Sequence, residues 1–407
     1  MTAAFIVFGC RLNQAEAAEW QSRLTAFGAE WAPEGEADVL FVHTCAVTAT
    51  AAHEAEKRLK ALRKRRPDAK ILVSGCAAGL LPEGLVDRLV PHEQKARWLD
   101  EALALLDLRP DTPQRKAPAT TRARASLIVQ DGCDRFCAYC IVPHTRGAPV
   151  SQPLSALLAK AERLFAEGFR EIVLTGCHLA LYRDPDSGAG LPELLRRLCA
   201  VRGEGRFRLS SLEPCVLDDK ALVRQIAESG GRLCPFLHLP IQTASDPLLD
   251  RMGRRYTQRQ VRNLLETIAA TLPLCGLSAD WIVGLPGETE ADAQETRALV
   301  ADFPFTDAHL FPYSRRPGTP AAGFSGQVPP AVVQARLHAL RETLAKTQHR
   351  VLPRFIGKQL TVIPEKRRDD GWEGWSAQRI RCLLPLDARR RELTPFTPTR
   401  LEAGLFR

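Results

Sequence analysis

Cys133, Cys137 and Cys140 fall within eight residues at C-x3-C-x2-C spacing, directly after the short apolar run Ser126 to Val129. A loop that opens off a strand with three thiols so close can converge them on one soft-metal centre. Thiolates favour zinc or iron–sulfur clusters over hard cations. Three thiolates on a four-coordinate centre leave one position open for a substrate or cofactor. His144 follows Cys140 at x3 and would complete a Cys3His zinc tetrahedron, so the loop alone leaves zinc as a rival. Three buried small hydrophobes would not need this clustering.

A second set of thiols stands earlier. Phe5-Ile6-Val7-Phe8 leads to Gly9-Cys10, Val39-Leu40-Phe41-Val42 to His43-Thr44-Cys45, and Ile71-Leu72-Val73-Ser74 to Gly75-Cys76. Each run is a continuous apolar segment of strand length, as a sheet buried on both faces requires. Helical patterns separate the runs. Asn13 is placed to cap a helix whose stripe is Trp20, Leu24 and Phe27 and whose stop is Gly28; a second helix spans Ala49 to Arg66. Alternating strand and helix predicts a parallel sheet with ligands at the carboxyl ends of its strands. Cys10, Cys45 and Cys76 all lie at that end, which predicts a second, separate thiolate cluster. Singly, each would read as a small core residue beside a turn.

From Ser126 the alternation resumes. Strands are expected at Ser126–Gln130, Glu171–Gly176, Arg206–Ser211, Phe236–Gln242, Leu277–Val283 and His309–Ser314, with helices such as Leu154–Glu167, Leu191–Val201 and Asp218–Glu228 between them. Such units predict an open or partial parallel barrel with its site at the strand C-termini. Thr175-Gly176, Ser210 to Pro214, His238 to Thr243 and Gly284 to Thr289 occupy those ends. Each is ordinary turn chemistry by itself; a shared rim makes them a candidate site. Helices are also expected at Ala96–Leu106 and Pro330–Gln348, and Gln359–Pro364 and Ile380–Leu384 read as strands of a small β module. The expected α/β layout is an N-terminal domain at 1–108, a Pro-containing linker at 109–125, the barrel at 126–328, a connecting helix at 329–353 and the module at 354–407.

The 407 residues suffice for two or three domains, and 45% hydrophobic with 25% charged residues is ordinary soluble composition. The longest apolar runs are strand-length and the N-terminus lacks a basic n-region, so neither a membrane helix nor a signal peptide is expected and the location reads as cytoplasmic. Twelve cysteines in such a chain point to reduced, metal-binding thiols, not a secreted disulfide scaffold. The net charge of +9 suits a polyanionic partner. Lys57, Arg58, Lys60, Arg63, Lys64, Arg65 and Arg66 read either as a solvated helix face or as contacts to RNA phosphates. Residues 354–407, with twelve Lys/Arg against seven Asp/Glu, read equally as a packing appendage or a nucleic-acid grip.

Taken in order, these motifs resemble the methylthiotransferase branch of the radical S-adenosylmethionine (SAM) superfamily over nearly the whole chain. The resemblance rests on Gly9 to Gln14, His43 to Thr48, Gly75-Cys76, the C-x3-C-x2-C loop, Leu209 to Pro214, His238 to Ser245 with Arg251-Met252 and Arg255-Tyr256, Ile282 to Glu290, and Tyr313 to Thr319. It implies a Rossmann-like first domain, a partial (β/α)6 radical-SAM barrel and a short RNA-binding module of the TRAM type. Cys133, Cys137 and Cys140 would hold a [4Fe-4S] cluster whose free iron chelates SAM; reductive cleavage gives a 5′-deoxyadenosyl radical that takes hydrogen from adenine C2. Cys10, Cys45 and Cys76 would hold a second [4Fe-4S] cluster carrying the sulfur to be inserted, and a second SAM supplies the methyl group. Tyr139, Thr175, Gly176, Ser210 and Glu213 would contact the cofactor, and Arg146, Asp280 and Arg315 would lie on the substrate side. Implied partners are tRNA and an electron donor of flavodoxin or ferredoxin type.

The wording at Arg11 to Gln14, Ala46 to Thr48 and Ser211 to Pro214 is similar to the branch that acts on threonylcarbamoyladenosine at position 37 of tRNA. Another tRNA adenosine, a ribosomal-protein side chain, or a non-catalytic zinc-containing RNA-binding protein are the alternatives. The chain departs from the family at His43, where Asn is commoner, at Ala77-Ala78-Gly79 after Cys76, and at Cys177, where Val is usual and which reads as a small packing residue.

Overall fold

The computed structural model describes residues 1–47, 49–82, 84–109, 123–216 and 218–407, and leaves out the side chains of 49–51 and 80. The expected linker, with Pro110, Pro113 and Pro118, therefore lies largely outside the described residues. The chain divides into two compact units: Met1–Thr120 with Asp131–Pro149 and Ser314–Ala322, and Thr121–Gln130 with Val150–Tyr313 and Gly323–Arg407.

In the first unit β1 (Thr2–Val7), α1 (Arg11–Ala26), β2 (Glu30–Trp31), β3 (Val39–Thr44), α2 (Ala49–Arg65), β4 (Lys70–Gly75), β5 (Arg88–Pro91) and α3 (Trp98–Leu106) form an α/β layer. The sheet is parallel throughout, in the order β2-β1-β3-β4-β5. Every residue of β3 is buried, which is why its sequence is a continuous apolar run. Its side chains alternate between two cores. Val39 and Phe41 pack with Leu24, Phe27 and Trp98, while Leu40 and Val42 pack with Leu59, Leu62 and Ile71.

The stop of α1 is as expected: Gly28, at φ +94°, donates to Thr25 O at 3.0 Å and Ala29 donates to Leu24 O at 3.0 Å, a Schellman ending. The start is not. Cys10 occupies the N-cap position, and Asn13 lies inside the helix, fully buried, where its Nδ2 donates to Phe8 O at 3.1 Å and Thr44 O at 2.7 Å. Asn13 ties two strand ends to the helix and does not cap it: its amide reaches carbonyls at the ends of β1 and β3, and Thr44 O accepts from Cys76 N as well.

The chain continues through β6 (Ala125–Ile128), the two-residue β7 (Gln130–Asp131), α4 (Val142–Arg146) and β8 (Val150–Ser151); the cysteine loop and α4 belong to the first unit. In the second unit α5 (Leu154–Ala166), β9 (Glu171–Thr175), α6 (Leu191–Cys199), β10 (Arg206–Leu209), α7 (Asp219–Ala227), β11 (Phe236–Gln242), α8 (Asp246–Arg251), α9 (Gln258–Thr271), β12 (Gly276–Val283), α10 (Glu290–Asp302) and β13 (Asp307–Pro312) follow. Two parallel three-stranded sheets, β6-β9-β10 and β11-β12-β13, are joined by the parallel bridges Phe207↔Leu233 and Ser211↔His238. This series of parallel strands is the open barrel expected from the alternation.

After α11 (Pro330–Val351), strands β14 (Leu360–Arg368), β15 (Gly371–Ser376), β16 (Arg381–Leu384), β17 (Thr394–Phe396), β18 (Leu401–Glu402) and β19 (Leu405–Phe406) build a sheet ordered β17-β14-β15-β16-β19-β18 around Phe355, Val362, Ile380 and Cys382. Glu171 on β9 is buried and accepts from Arg206 Nε and Arg208 Nε, both at 2.7 Å. Arg208 also donates to Ala377 O at 2.9 Å and Ser376 O at 3.0 Å, and Arg206 to Thr361 O at 2.8 Å, so this triad fastens the module to the barrel. Burial pushes the Glu171 carboxyl up, and the two guanidiniums more than offset it, holding it well below the usual range. Among the described residues no helix is long and apolar enough to cross a membrane.

Candidate active site

Cys10, Cys45 and Cys76 follow the C-terminal ends of β1, β3 and β4, as the strand repeat predicts. Gly9 makes the approach possible. It sits at φ +91°, and a Cβ there would stand 2.1 Å from Cys45 Cβ. The Cys45 thiol hydrogen-bonds Cys10, which pulls the Cys10 thiol down to about 6 and pushes Cys45 up. Cys10 also begins a helix, where the dipole favours a thiolate. Neither is in a disulfide, nor is Cys76.

Arg146, expected on the substrate side, is buried against this set. Its Nε lies 3.0 Å from Cys76 Sγ, its Nη1 donates to Asp131 Oδ1 at 2.7 Å and Glu16 Oε1 at 3.2 Å, and its Nη2 to Asn13 Oδ1 at 2.6 Å and Glu16 Oε2 at 2.7 Å. Burial drives the Cys76 thiol up, and Arg146 opposes that rise. Burial likewise raises Glu16, but His43 and Arg146 together bring it down to about 2. His43 holds Glu16 from the far side, with Nε2 at 3.2 Å, and is itself fixed by Ser74 Oγ at 2.9 Å from Nδ1. Asp131 takes His92 at 3.2 Å and Lys95 as well. Three free thiols, one with a lowered pKa and one accepting from a buried guanidinium, suit a cluster bound through thiolates.

The C-x3-C-x2-C loop opens at Gly132, whose φ is +73° and whose added Cβ would stand 2.0 Å from Ala148 O. Cys133 N donates to Gly147 O at 3.0 Å, Cys140 N to Cys137 O at 2.9 Å, and Ala321 N to Ala138 O at 2.8 Å. These bonds leave Cys137 buried and Cys133, Tyr139 and Cys140 half-buried. His144 is exposed, its ring set edge-on to Phe136 at 5.6 Å. A closed Cys3His zinc site needs its donor atoms about 3.3–3.8 Å apart, from bonds of about 2.0–2.3 Å. Among the described residues, the groups whose ligand atoms all lie within 4.8 Å of one another include neither His144 nor a loop cysteine. In the segment after β13, Arg315 is exposed and donates to Ala322 O at 2.8 Å, whereas Arg316 is the buried cation, electrostatically coupled to Cys45.

In the second unit Thr175 and Ser210 are buried at the ends of β9 and β10, and the Ser210 Oγ has no hydrogen-bond partner among the described residues. Gly176 packs so closely that a Cβ would meet Gln130 O at 2.8 Å, and His178 N donates to Gln130 Oε1 at 2.9 Å. Glu213 is buried, bonded to His178 Nε2 and 3.3 Å from Arg254 Nη2. Cys177 is half-buried. Asp280 lies between His238 and His309; burial raises its carboxyl, and the two histidines bring it to about 2. Glu16, Asp131, His92, Arg316, His178 and Arg254 are the site neighbours that sequence reasoning passes over. Polar residues in a helix or turn are too common to stand out without a partner.

A six-strand open parallel barrel with polar rim motifs defines the radical-SAM fold. Residues 127–300 match the family model described as "Radical SAM superfamily", and residues 2–93 that described as "Uncharacterized protein family UPF0004". The chain is 34% identical over 378 residues to the Thermotoga maritima protein named threonylcarbamoyladenosine tRNA methylthiotransferase MtaB, covering 89% of this chain and 86% of that one. It is 36% identical over 385 residues to the Jannaschia protein named tRNA-2-methylthio-N(6)-dimethylallyladenosine synthase, covering 88% and 82%. The chain belongs to the radical-SAM tRNA methylthiotransferase family. A solved structure of the radical SAM methyltransferase TsrM from Kitasatospora setae shares the fold, with TM-score 0.55 at 15% identity over 79% of this chain and 77% of that one. The chain is therefore an enzyme that uses SAM and a [4Fe-4S] cluster, and the non-catalytic zinc-protein alternative falls away.

Proposed function

We propose that the protein inserts a methylthio group at C2 of N6-threonylcarbamoyladenosine at position 37 of tRNA, using two [4Fe-4S] clusters. Cys133, Cys137 and Cys140 hold one cluster, and Cys10, Cys45 and Cys76 the other. When bound, the clusters and SAM supply a one-electron reductant, a carbon radical that takes hydrogen from adenine C2, and the sulfur and methyl to be added. Arg146 donates to Cys76 and, through Glu16, Asp131 and Asn13, keeps that sulfur in place. Thr175, Gly176, Ser210, Glu213 and Tyr139 bind SAM, with the unbonded Ser210 Oγ available to a ligand. The basic C-terminal module grips tRNA, and a flavodoxin- or ferredoxin-type donor supplies electrons.

What supports the reading is the second thiol set at one sheet edge, which an ordinary one-cluster radical enzyme has no need of. The choice of threonylcarbamoyladenosine leans on the wording at Arg11 to Gln14 and Ser211 to Pro214. The name borne by the Jannaschia relative makes a dimethylallyl-type adenosine the second reading. Mass spectrometry of tRNA nucleosides from a deletion strain separates the two. Loss of methylthio-threonylcarbamoyladenosine, with the unthiolated nucleoside retained, is expected; loss of the methylthio-dimethylallyl nucleoside in its place overturns the substrate.

A further inference from the structure

We infer that His238, Asp280 and His309 form a mononuclear site for a divalent first-row transition ion, separate from the cysteine centres. β11, β12 and β13 are neighbouring parallel strands, with His238 opposite Ser278 and Asp280 opposite His309. Because side chains alternate along a strand, positions 278 and 280 share a face, and the register puts both histidines on it.

The donor geometry suits a metal. Asp280 Oδ1 lies 3.0 Å from His238 Nε2 and 2.9 Å from His309 Nδ1, and the three donor atoms all fall within 4.8 Å of one another. Ligands about 2.1 Å from an ion stand about 3.0 Å apart when at right angles, as in a facial octahedral set, and about 3.4 Å apart in a tetrahedron. Two histidines and one carboxylate form the facial set that leaves further positions open for water or a ligand. His238 is already oriented, since its other ring nitrogen, Nδ1, is 3.1 Å from Ser278 Oγ, which turns Nε2 toward the site.

The other close group of this kind, Glu16, His92 and Asp131, has Arg146 and Lys95 on its carboxylates and no use for a cation. Among the described residues the ion-pair partners of Asp280 are the two histidines. The His309 side chain is 45% exposed, so an ion reaches the site from solvent.

The competing account is a hydrogen-bonded His–Asp–His triad that binds nothing. Equilibrium dialysis of the full-length, cluster-reconstituted protein against micromolar zinc sulfate decides between them, with zinc and iron per chain measured together. About one zinc per chain is expected above a His238→Ala/Asp280→Asn/His309→Gln background, with affinity at least about tenfold weaker in His309→Gln alone and iron unchanged. His338→Gln, on an exposed helix position, is the control. Equal zinc binding by wild type and His309→Gln, or none by wild type, overturns the site. Zinc-edge X-ray absorption of the wild type guards against a misfolded variant: nitrogen and oxygen ligands at about 2.0–2.1 Å are expected, while sulfur at about 2.3 Å would put the ion on cysteines and refute the assignment.

Discussion

Arg146→Met removes a buried guanidinium while keeping an unbranched apolar stem. The contacts that go with it include two to Glu16 and one each to Asp131, Asn13 and Cys76. Asp131 keeps Lys95 and His92, so the exposed deficit is chiefly at Glu16. That carboxyl sits at about 2 against an ordinary 4.5, a stabilisation of roughly 3 kcal/mol shared between His43 and Arg146. Stranding one partner of a buried pair costs about 3–5 kcal/mol. Glu16 keeps His43 and Lys95, so the expected loss is only part of that, about 1–3 kcal/mol at pH 7. A depressed carboxyl stabilises the fold above its unfolded pKa, so the gap between wild type and variant should shrink as pH falls from about 4.5 toward about 2. Urea unfolding followed by circular dichroism measures the energy, and iron analysis after reconstitution the cluster. On the proposed two-cluster reading, iron should fall from about eight toward about four per chain as Cys76 loses its donor. The double variant Glu16→Gln/Arg146→Met should recover at least about 1 kcal/mol, since it leaves no stranded charge. An Arg146→Met protein within about 0.5 kcal/mol of wild type, with all its iron, would show that this network positions nothing.

Gly132→Ala puts a Cβ 2.0 Å from Ala148 O at a φ of +73°, so the cysteine loop cannot close as built. On the proposed two-cluster reading, reconstituted iron should drop by about four per chain with the proposed cluster at Cys10, Cys45 and Cys76 still loaded, and full iron content would refute that account of the loop. Glu171→Gln leaves Arg206 and Arg208 buried without their carboxylate. A loss of about 3–5 kcal/mol is expected, with faster proteolysis between α11 and β14, and an unchanged melting curve would remove the triad from any role in holding the module.

What can be read in advance follows what is local. The three strand-end cysteines are legible because β3 and β4 are buried on both faces, which writes continuous apolar runs, and the parallel rule then sends Cys45 and Cys76 to one edge. The open barrel is legible for the same reason. β15 is not, since Gly371-Trp372-Glu373-Gly374-Trp375-Ser376 pairs through glycines that carry no periodicity. Asn13 misleads because Asn before an apolar stripe is a capping signal, and only the neighbouring carbonyls of Phe8 and Thr44 show that it serves the sheet.

The ion network is illegible for a deeper reason. Arg146 and Glu16 stand 130 residues apart, and nothing in the helix around either one marks the other as its partner. His43 shows how such a network tolerates change. The resemblance marks it as a departure, yet its two ring nitrogens meet Ser74 and Glu16, so the ring joins the same carboxylate that Arg146 holds. A substitution that looks like a loss beside Cys45 is therefore absorbed by residues on the next strand and the first helix. His43→Asn should leave the thiols in place yet shift Glu16 upward, since the shorter amide does not reproduce the ring nitrogen's bond to that carboxylate.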